Sequence, residues 1–500
     1  MHILSKSTYM RGRQCEKALY LLKNRRDLVP PVSDAQQAIF SQGTTVGELA
    51  WQLYPGGVDC SAADHKLYAP ALEATRHALA TADLIYEAAF LYNEVLAVMD
   101  ILVRDGDGWR AIEVKSSTSV KAQFVEDAAL QYHVISNSGV RLKDIGILHI
   151  DNRYVRQGPI EPAKLFHLED VTGPVRAVQE DVAATIHRLK TMLARGQEPV
   201  VAIGPHCDNP YPCDLKGHCW KEVPVPSVLD LARGKSLGFE LFGQGILRLE
   251  DIPDDVPLTA RQQMQVMVQR SGTPVVNTLP IGHFLARLEY PVHCLDFETF
   301  ALAVPPYDGT RPYQAIPFQY SLHVIDAPGA EPRHLEYLAD GASDPRPELL
   351  ARLLQDIGPA GSVLAYNLSF ERSVLAQLAL AFPEHAPGIQ RVIGRCTDLA
   401  IPFANQWYYH QGMNGRYSIK QVLPALVPEF GYTGMDVADG MTASNLFAQL
   451  IQGRFTGDTQ KLRADLLAYC KMDTLAMVKL LQVLEREMVR KPDRGLDGPV

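Results

Sequence analysis

The run YPVHCLDFETF, residues 290–300, sets two carboxylates, Asp296 and Glu298, two positions apart in an otherwise apolar segment. A short apolar run of this kind reads as a β-strand, and side-chain alternation puts both acids on one face at its end. By itself such a pair is a weak signal. Its weight comes from the segments downstream. PFQYSLHVI and SVLAYN read as two further strands, and Asn367-Leu-Ser-Phe-Glu371 opens a helix. The segment DLLAYCKMDTLAMVKLL is strongly amphipathic and carries Tyr469 and Asp473 four residues apart, hence stacked on one helix face.

Three motifs in this order resemble DnaQ-like 3′–5′ exonucleases of ribonuclease-H-like fold, in their tyrosine-bearing DEDDy branch. The resemblance implies that Asp296, Glu298, Glu371 and Asp473 bind two metal ions, Mg²⁺ or Mn²⁺, which activate water and stabilise the leaving oxygen. Glu371 stands where the family usually has Asp. Tyr469 would position the water rather than take its proton, because an unperturbed phenol ionises only near pH 10. Asp398 reads either as an accessory acid or as a cap for the following turn. Lys420 reads as a phosphate contact or as a solvated lysine.

A second carboxylate pair lies earlier. VLAVMDILVRDGDGWRAIEVKSS reads as a β-hairpin around Asp105-Gly106-Asp107-Gly108. A two-residue and a four-residue loop give the same register: Arg104 faces Trp109, and Asp100 faces Glu113. Directly opposed acids repel, so the pairing makes sense if a divalent cation bridges them. Lys115 shares the face of Glu113. A plain surface hairpin is the alternative for so short a motif. Asp100 with Glu113-Val114-Lys115 resembles PD-(D/E)xK nucleases of the RecB-like group. That resemblance adds Glu48 as a metal ligand, beside Gly47 where relatives often carry His. It also adds Gln131 and Tyr132 from the helix after the lysine strand as catalytic residues. Glu87, in LIYEAAF, is a conspicuous acid among apolar neighbours.

Cys207, Cys213 and Cys219 are evenly spaced, and Cys15 lies far upstream. No Cys-x-x-Cys knuckle of the usual zinc type is present. One early cysteine plus three late ones resembles iron–sulfur RecB-like nucleases, including the AddB-type nuclease domain and the CRISPR-adaptation exonuclease. There a cluster, expected here as 4Fe-4S, joins the two ends of the module. Zinc, or no metal, stays open as an alternative. Cys60, Cys294, Cys396 and Cys470 fit no ligand pattern and read as small core residues.

Five hundred residues exceed one hydrophobic core. The expected organisation is an α/β multidomain chain. Residues 1–222 form a restriction-endonuclease-like α/β core with the iron–sulfur staple, and 223–288 a helical connector. Residues 289–488 form a ribonuclease-H-like α/β exonuclease domain, and 489–500 a flexible tail. No run has the unbroken apolar length of a membrane span, and the start lacks a signal-peptide pattern, so a cytoplasmic location is expected. The net charge of −9 gives no global attraction to nucleic acid. Lys6, Arg11, Arg13, Lys17, Lys23, Arg25 and Arg26 read as either a local basic patch or a solvated face. The whole resembles a bacterial family joining a RecB-like module to a ribonuclease-H-like exonuclease. It implies metal-dependent hydrolysis of DNA, single-stranded or at ends, in repair or defence. RNA hydrolysis and a nucleic-acid-binding scaffold with silent sites are the alternatives.

Overall fold

The structure, a computed structural model, describes residues 2–62, 68–432, 434–437 and 439–489; positions 490–500 of the expected tail lie outside them. The chain is a mixed α/β protein of two units. One comprises Met1–Glu222 with Leu302–Gln314, the other Val223–Ala301 with Ala315–Val500. Among the described residues, no helix is long and apolar enough to cross a membrane.

In the first unit β1 (Leu4–Ser5), β2 (Val58–Asp59), β3 (Leu84–Tyr92), β4 (Val95–Asp105), β5 (Gly108–Lys115), β6 (Leu142–Ile150) and β7 (Phe166–Asp170) form one sheet. The order is β2-β3-β4-β5-β6-β7, with β1 against β4. The β4–β5 hairpin has the expected register, Arg104 opposite Trp109 and Asp105 opposite Gly108. Its two-residue turn needs a left-handed residue, which Gly106 supplies at φ +58°. Strands β5 and β6 are parallel. Parallel neighbours need a crossover, here containing the helix Ala122–Asn137.

The first unit does not end at residue 222. Ala303, from Leu302–Gln314, is buried among Val46, Ala50, Tyr86 and Tyr154. Gly309 N–H donates to the Arg156 carbonyl at 2.9 Å, and Arg156 N–H donates to the Thr310 carbonyl at 3.0 Å. Tyr313 donates its hydroxyl to the Ser116 carbonyl, one residue past Lys115. The N-terminal basic run is not a free cationic face either. Arg11 pairs with Asp214, Arg13 with Glu126 and Asp181, Lys17 with Glu198, and Arg25 with Asp27.

In the second unit β8 (Val275–Val276) pairs with β14 (Tyr408–Tyr409). The main sheet holds β9 (Val292–Phe300), β10 (Ile316–Ile325), β11 (Arg333–Leu338), β12 (Val363–Ala365) and β13 (Cys396–Asp398). Its order is β11-β10-β9-β12-β13. The β11–β10–β9 side is antiparallel and the β9–β12–β13 side parallel. Against it lies the helix Thr459–Val489, whose buried residues include Leu462, Leu466, Tyr469, Cys470, Asp473, Met477, Leu480 and Leu484. That three-and-four spacing is one helix face. The apolar stripe thus carries Tyr469 and Asp473 down onto the strands. Helices Lys235–Gly243, Ala260–Ser271 and Thr278–Leu285 occupy the connector region, within this unit.

Candidate active sites

In the first unit three carboxylates stand side by side across three strands. Tyr86↔Ile101 and Ala88↔Met99 bracket Glu87 opposite Asp100. The β4–β5 pairs end at Ile101↔Ile112, one step short of Asp100 and Glu113, whose charges act on one another. Glu87 holds φ at +51°, a left-handed conformation that a residue with a Cβ adopts only under strain. Glu113, buried, accepts from Lys6 Nζ at 2.5 Å and Lys115 Nζ at 2.8 Å on one oxygen. Its other oxygen accepts from Gln131 Nε2 at 2.5 Å. Lys115 also donates to Asp127 at 2.8 Å, and Val114 N–H donates to Asp100 at 2.6 Å.

The electrostatics of this row are uneven. Burial pushes Glu113 up, but Lys115 and Lys6 outweigh it and hold the carboxyl well below its usual range. At Asp100 the balance is reversed: burial and the charge of Glu113 push it well above that range despite Lys6 and the Val114 N–H. Burial and Glu113 likewise push Glu87 up to about 7. The Gln131 Oε1 is buried without a hydrogen-bond partner. Two under-compensated carboxylates and an orphaned amide oxygen make an oxygen donor set that suits a hard divalent ion.

Two expected residues stand elsewhere. Glu48 is exposed, because Val46 and Ala50 turn the opposite face of its helix into the core. Tyr132 accepts a hydrogen bond from Arg176 at 3.1 Å and makes none with the carboxylates. Consecutive helix residues diverge by about 100°, and Gln131 rather than Tyr132 reaches Glu113. The helix's second contribution is Asp127, one turn before Gln131. Lys6, Asp127 and Glu87 are the residues that the expected set lacks. Helix spacing from Gln131 signals Asp127, and the apolar setting signals Glu87. Lys6 reaches Glu113 from the far N-terminus, and nothing local announces it.

Cys15, Cys207, Cys213 and Cys219 line one cavity, with His206, Lys17 and Trp220. Gln14 Nε2 donates to the carbonyls of His206 and Tyr211, both at 2.7 Å, fixing the Cys15 end to the Cys207–Cys219 segment. Burial pushes the thiols of Cys213 and Cys219 up. Among the described residues, no three of these sulfurs come within 4.8 Å of one another. Ligands of one tetrahedral zinc, with bonds of about 2.3 Å, stand about 3.8 Å apart.

In the second unit Asp296 and Glu298 lie on β9, facing Ser321 and Gln319 of β10. Glu371, in the first turn of the helix Ser369–Ala381, is buried, and its Oε2 has no hydrogen-bond partner. Asp473 accepts from Tyr432 at 2.5 Å. Lys420 Nζ sits 5.2 Å from the Tyr432 ring centre and 5.0 Å from that of Tyr469. Asp398 accepts from the backbone N–H groups of Asn367 and Ala400, both at 2.9 Å, so it caps the turn.

Asp296 and Glu298 lie in the field of the other acids. Burial, then the charges of Asp473, Glu298 and Glu371, push Asp296 far above the carboxylate range. Burial and Asp473 push Glu298 up to about 8 despite Lys420. Burial pushes Glu371 up to about 7. Asp473 is raised by burial, with Tyr432 and Lys420 opposing. Burial and the neighbouring carboxylates push the Tyr469 phenol above its ordinary value. Excess negative charge with too few donors suits divalent cations. Cys470 is fully buried, as expected of a core residue, and its Sγ also lies 3.5 Å from Asp296 Oδ2. Asp296, Glu298 and Cys470 form a cluster at metal-ligand spacing. Tyr432, Gln319 and Cys470 carry no sequence motif that flags them.

Residues 293–418 match the model of a domain of unknown function, DUF2779. The matched stretch includes Asp296, Glu298 and Glu371 and stops before Tyr469 and Asp473. Comparison with curated proteins finds no match.

Proposed function

We propose that the chain is a metal-dependent nuclease acting on DNA. The second unit is read as a DnaQ-like 3′–5′ exonuclease module, the first as a RecB-like PD-(D/E)xK module with an iron–sulfur staple. The observation that carries the reading is the convergence of Asp296, Glu298, Glu371 and Asp473, from one strand and two helices, on a space short of positive charge. The sheet order supports it. A central β9 with antiparallel β10 and β11 on one side and parallel β12 and β13 on the other is the layout expected of a ribonuclease-H-like domain. The β3–β5 carboxylate row followed by Lys115 supports the restriction-endonuclease-like reading of the first unit.

In the second unit Asp296, Glu298, Glu371 and Asp473 would hold Mg²⁺ or Mn²⁺. Bound there, such ions supply an activated water and stabilise the leaving oxygen. Tyr432 fixes the rotamer of Asp473 through its hydroxyl. Tyr469 stays a phenol and can donate to a water but not deprotonate it. Lys420 tempers the charge of Glu298 and Asp473. In the first unit Asp100, Glu113 and Glu87 would hold the ion, and Gln131 orients Glu113. Lys115 keeps its proton through Glu113 and Asp127 and brings positive charge to a scissile phosphate. Cys15, Cys207, Cys213 and Cys219, which line one cavity, would hold the cluster.

The test uses labelled single-stranded DNA, double-stranded DNA and RNA with EDTA, Mg²⁺ or Mn²⁺. DNA shortened only with added metal supports the reading. Exclusive loss of RNA moves the substrate to RNA, and no loss with any polymer defeats it. A second reading, a silent first site in a binding scaffold, rests on Lys6, whose ammonium already neutralises Glu113. If that reading holds, Lys6→Ala creates manganese binding that the wild-type first unit lacks; if both sites are nucleases, the wild type binds it already.

A further inference from the structure

We infer that Cys470 makes the second carboxylate site a centre that also takes a thiophilic divalent ion, Zn²⁺ or Cd²⁺, on Asp296, Glu298 and Cys470. The inference rests on the metal-site reading of those carboxylates and adds the class of ion. Cys470 Sγ and one oxygen from each of Asp296 and Glu298 all lie within 4.8 Å of one another. The Sγ to Asp296 Oδ2 separation is 3.5 Å. A tetrahedral ion with bonds of about 2.3 Å to sulfur and about 2.1 Å to oxygen holds those ligands about 3.6 Å apart. The thiol and the Asp296 carboxylate therefore already stand at ligand spacing.

The surroundings argue against a thiol that merely fills the core. Cys470 is fully buried, yet it lies against the Asp296 carboxylate. Glu371 is 3% exposed and its Oε2 has no donor. Gln319, opposite Glu298 on β10, is buried with an unpartnered Oε1. The carboxylates of Asp296 and Glu298 stand within ligand reach of this sulfur, and two oxygens elsewhere in the buried carboxylate region lack donors. Mg²⁺ takes oxygen ligands in near-octahedral array and gains nothing from sulfur. Zn²⁺ and Cd²⁺ bind thiolate well. Binding exchanges the thiol proton, released to solvent, for an Sγ–metal bond. A thiophilic ion here takes carboxylate oxygens that a hard ion would also use, so thiophilic ions compete with Mg²⁺.

Cadmium titration of the full chain tests this, followed by the ultraviolet thiolate-to-cadmium charge-transfer band. The wild type should show one more single-thiolate cadmium equivalent than Cys470→Ser, Asp296→Asn should lose the same equivalent, and excess Mg²⁺ should shift it to higher cadmium concentration. Equal bands in folded wild type and Cys470→Ser overturn the inference. If Cys470→Ser does not fold by circular dichroism, cadmium NMR of the wild type decides. A resonance from a one-sulfur, oxygen-rich environment supports the inference, and its absence overturns it. The nuclease reading is judged separately. Manganese binding with DNA degradation but no such cadmium defeats only this inference. The cadmium signal without degradation of any polymer upholds it and defeats the nuclease reading.

Discussion

At Asp296, Glu298 and Glu371 burial has been tolerated without matching positive charge, and that imbalance has a measurable consequence. Glu298 is raised to about 8 and Glu371 to about 7, against an unfolded value near 4.5. A carboxyl raised on folding binds more protons in the native state, so stability falls as pH rises between the two values. The buried His323 and half-buried His334, both lowered to about 4 by burial, act oppositely but finish their change below about pH 6.5. Between about pH 7 and 8 the carboxyls therefore dominate this pair of effects. Metal-free protein is expected to lose melting temperature across that window, and Mn²⁺ should restore more of it at the upper end than at the lower. Thermal melts in EDTA and in Mn²⁺ at both ends check this. A metal-free melting temperature that rises across the window contradicts the assignment of excess charge.

At the scale of elements the first site is a product of strand register, and β3 carries its cost. Glu87 sits at φ +51° in mid-strand beside two other acids. Glu87→Gly should relieve both strain and repulsion, raising metal-free stability by about 1 kcal/mol net of the glycine entropy cost, while weakening Mn²⁺ binding to the first unit. Urea unfolding in EDTA and a manganese titration measure the two effects. A drop in metal-free stability would mean that Glu87 is a structural residue. This site also marks how far sequence reading reaches. Counting back from the Gly106-Asp107 turn brings Asp100 to Glu113, because a hairpin's register is fixed by its loop. Strand alternation likewise pairs Asp296 with Glu298, and helix spacing pairs Tyr469 with Asp473. Local periodicity fails where contacts are distant in sequence, as for Lys6 on Glu113 and Tyr432 on Asp473. Helix periodicity separates the adjacent Gln131 and Tyr132 by about 100°, and turns Glu48 away from the core that Val46 and Ala50 face.

For the whole molecule the decisive feature is that the first unit takes in Leu302–Gln314. A fragment ending at residue 222 leaves Val46, Tyr86 and Tyr154 without Ala303, and strips Arg156 of its bonds to Thr310 and Pro306. That fragment should unfold at lower temperature than one with 302–314 joined by a flexible linker. Equal melting temperatures would make the segment dispensable. The two proposed centres share no residue, so their losses should be separable. The most direct measurement is the product ladder from end-labelled DNA with Mg²⁺ and with Mn²⁺, for wild type, Asp473→Asn, Lys115→Ala and the double variant. The account predicts that Asp473→Asn removes progressive 3′-end shortening, by about a hundredfold or more in rate. Lys115→Ala should instead remove a distinct set of products, and the double variant should be silent. Ladders identical to wild type in the double variant would contradict the claim that these two constellations are nuclease centres.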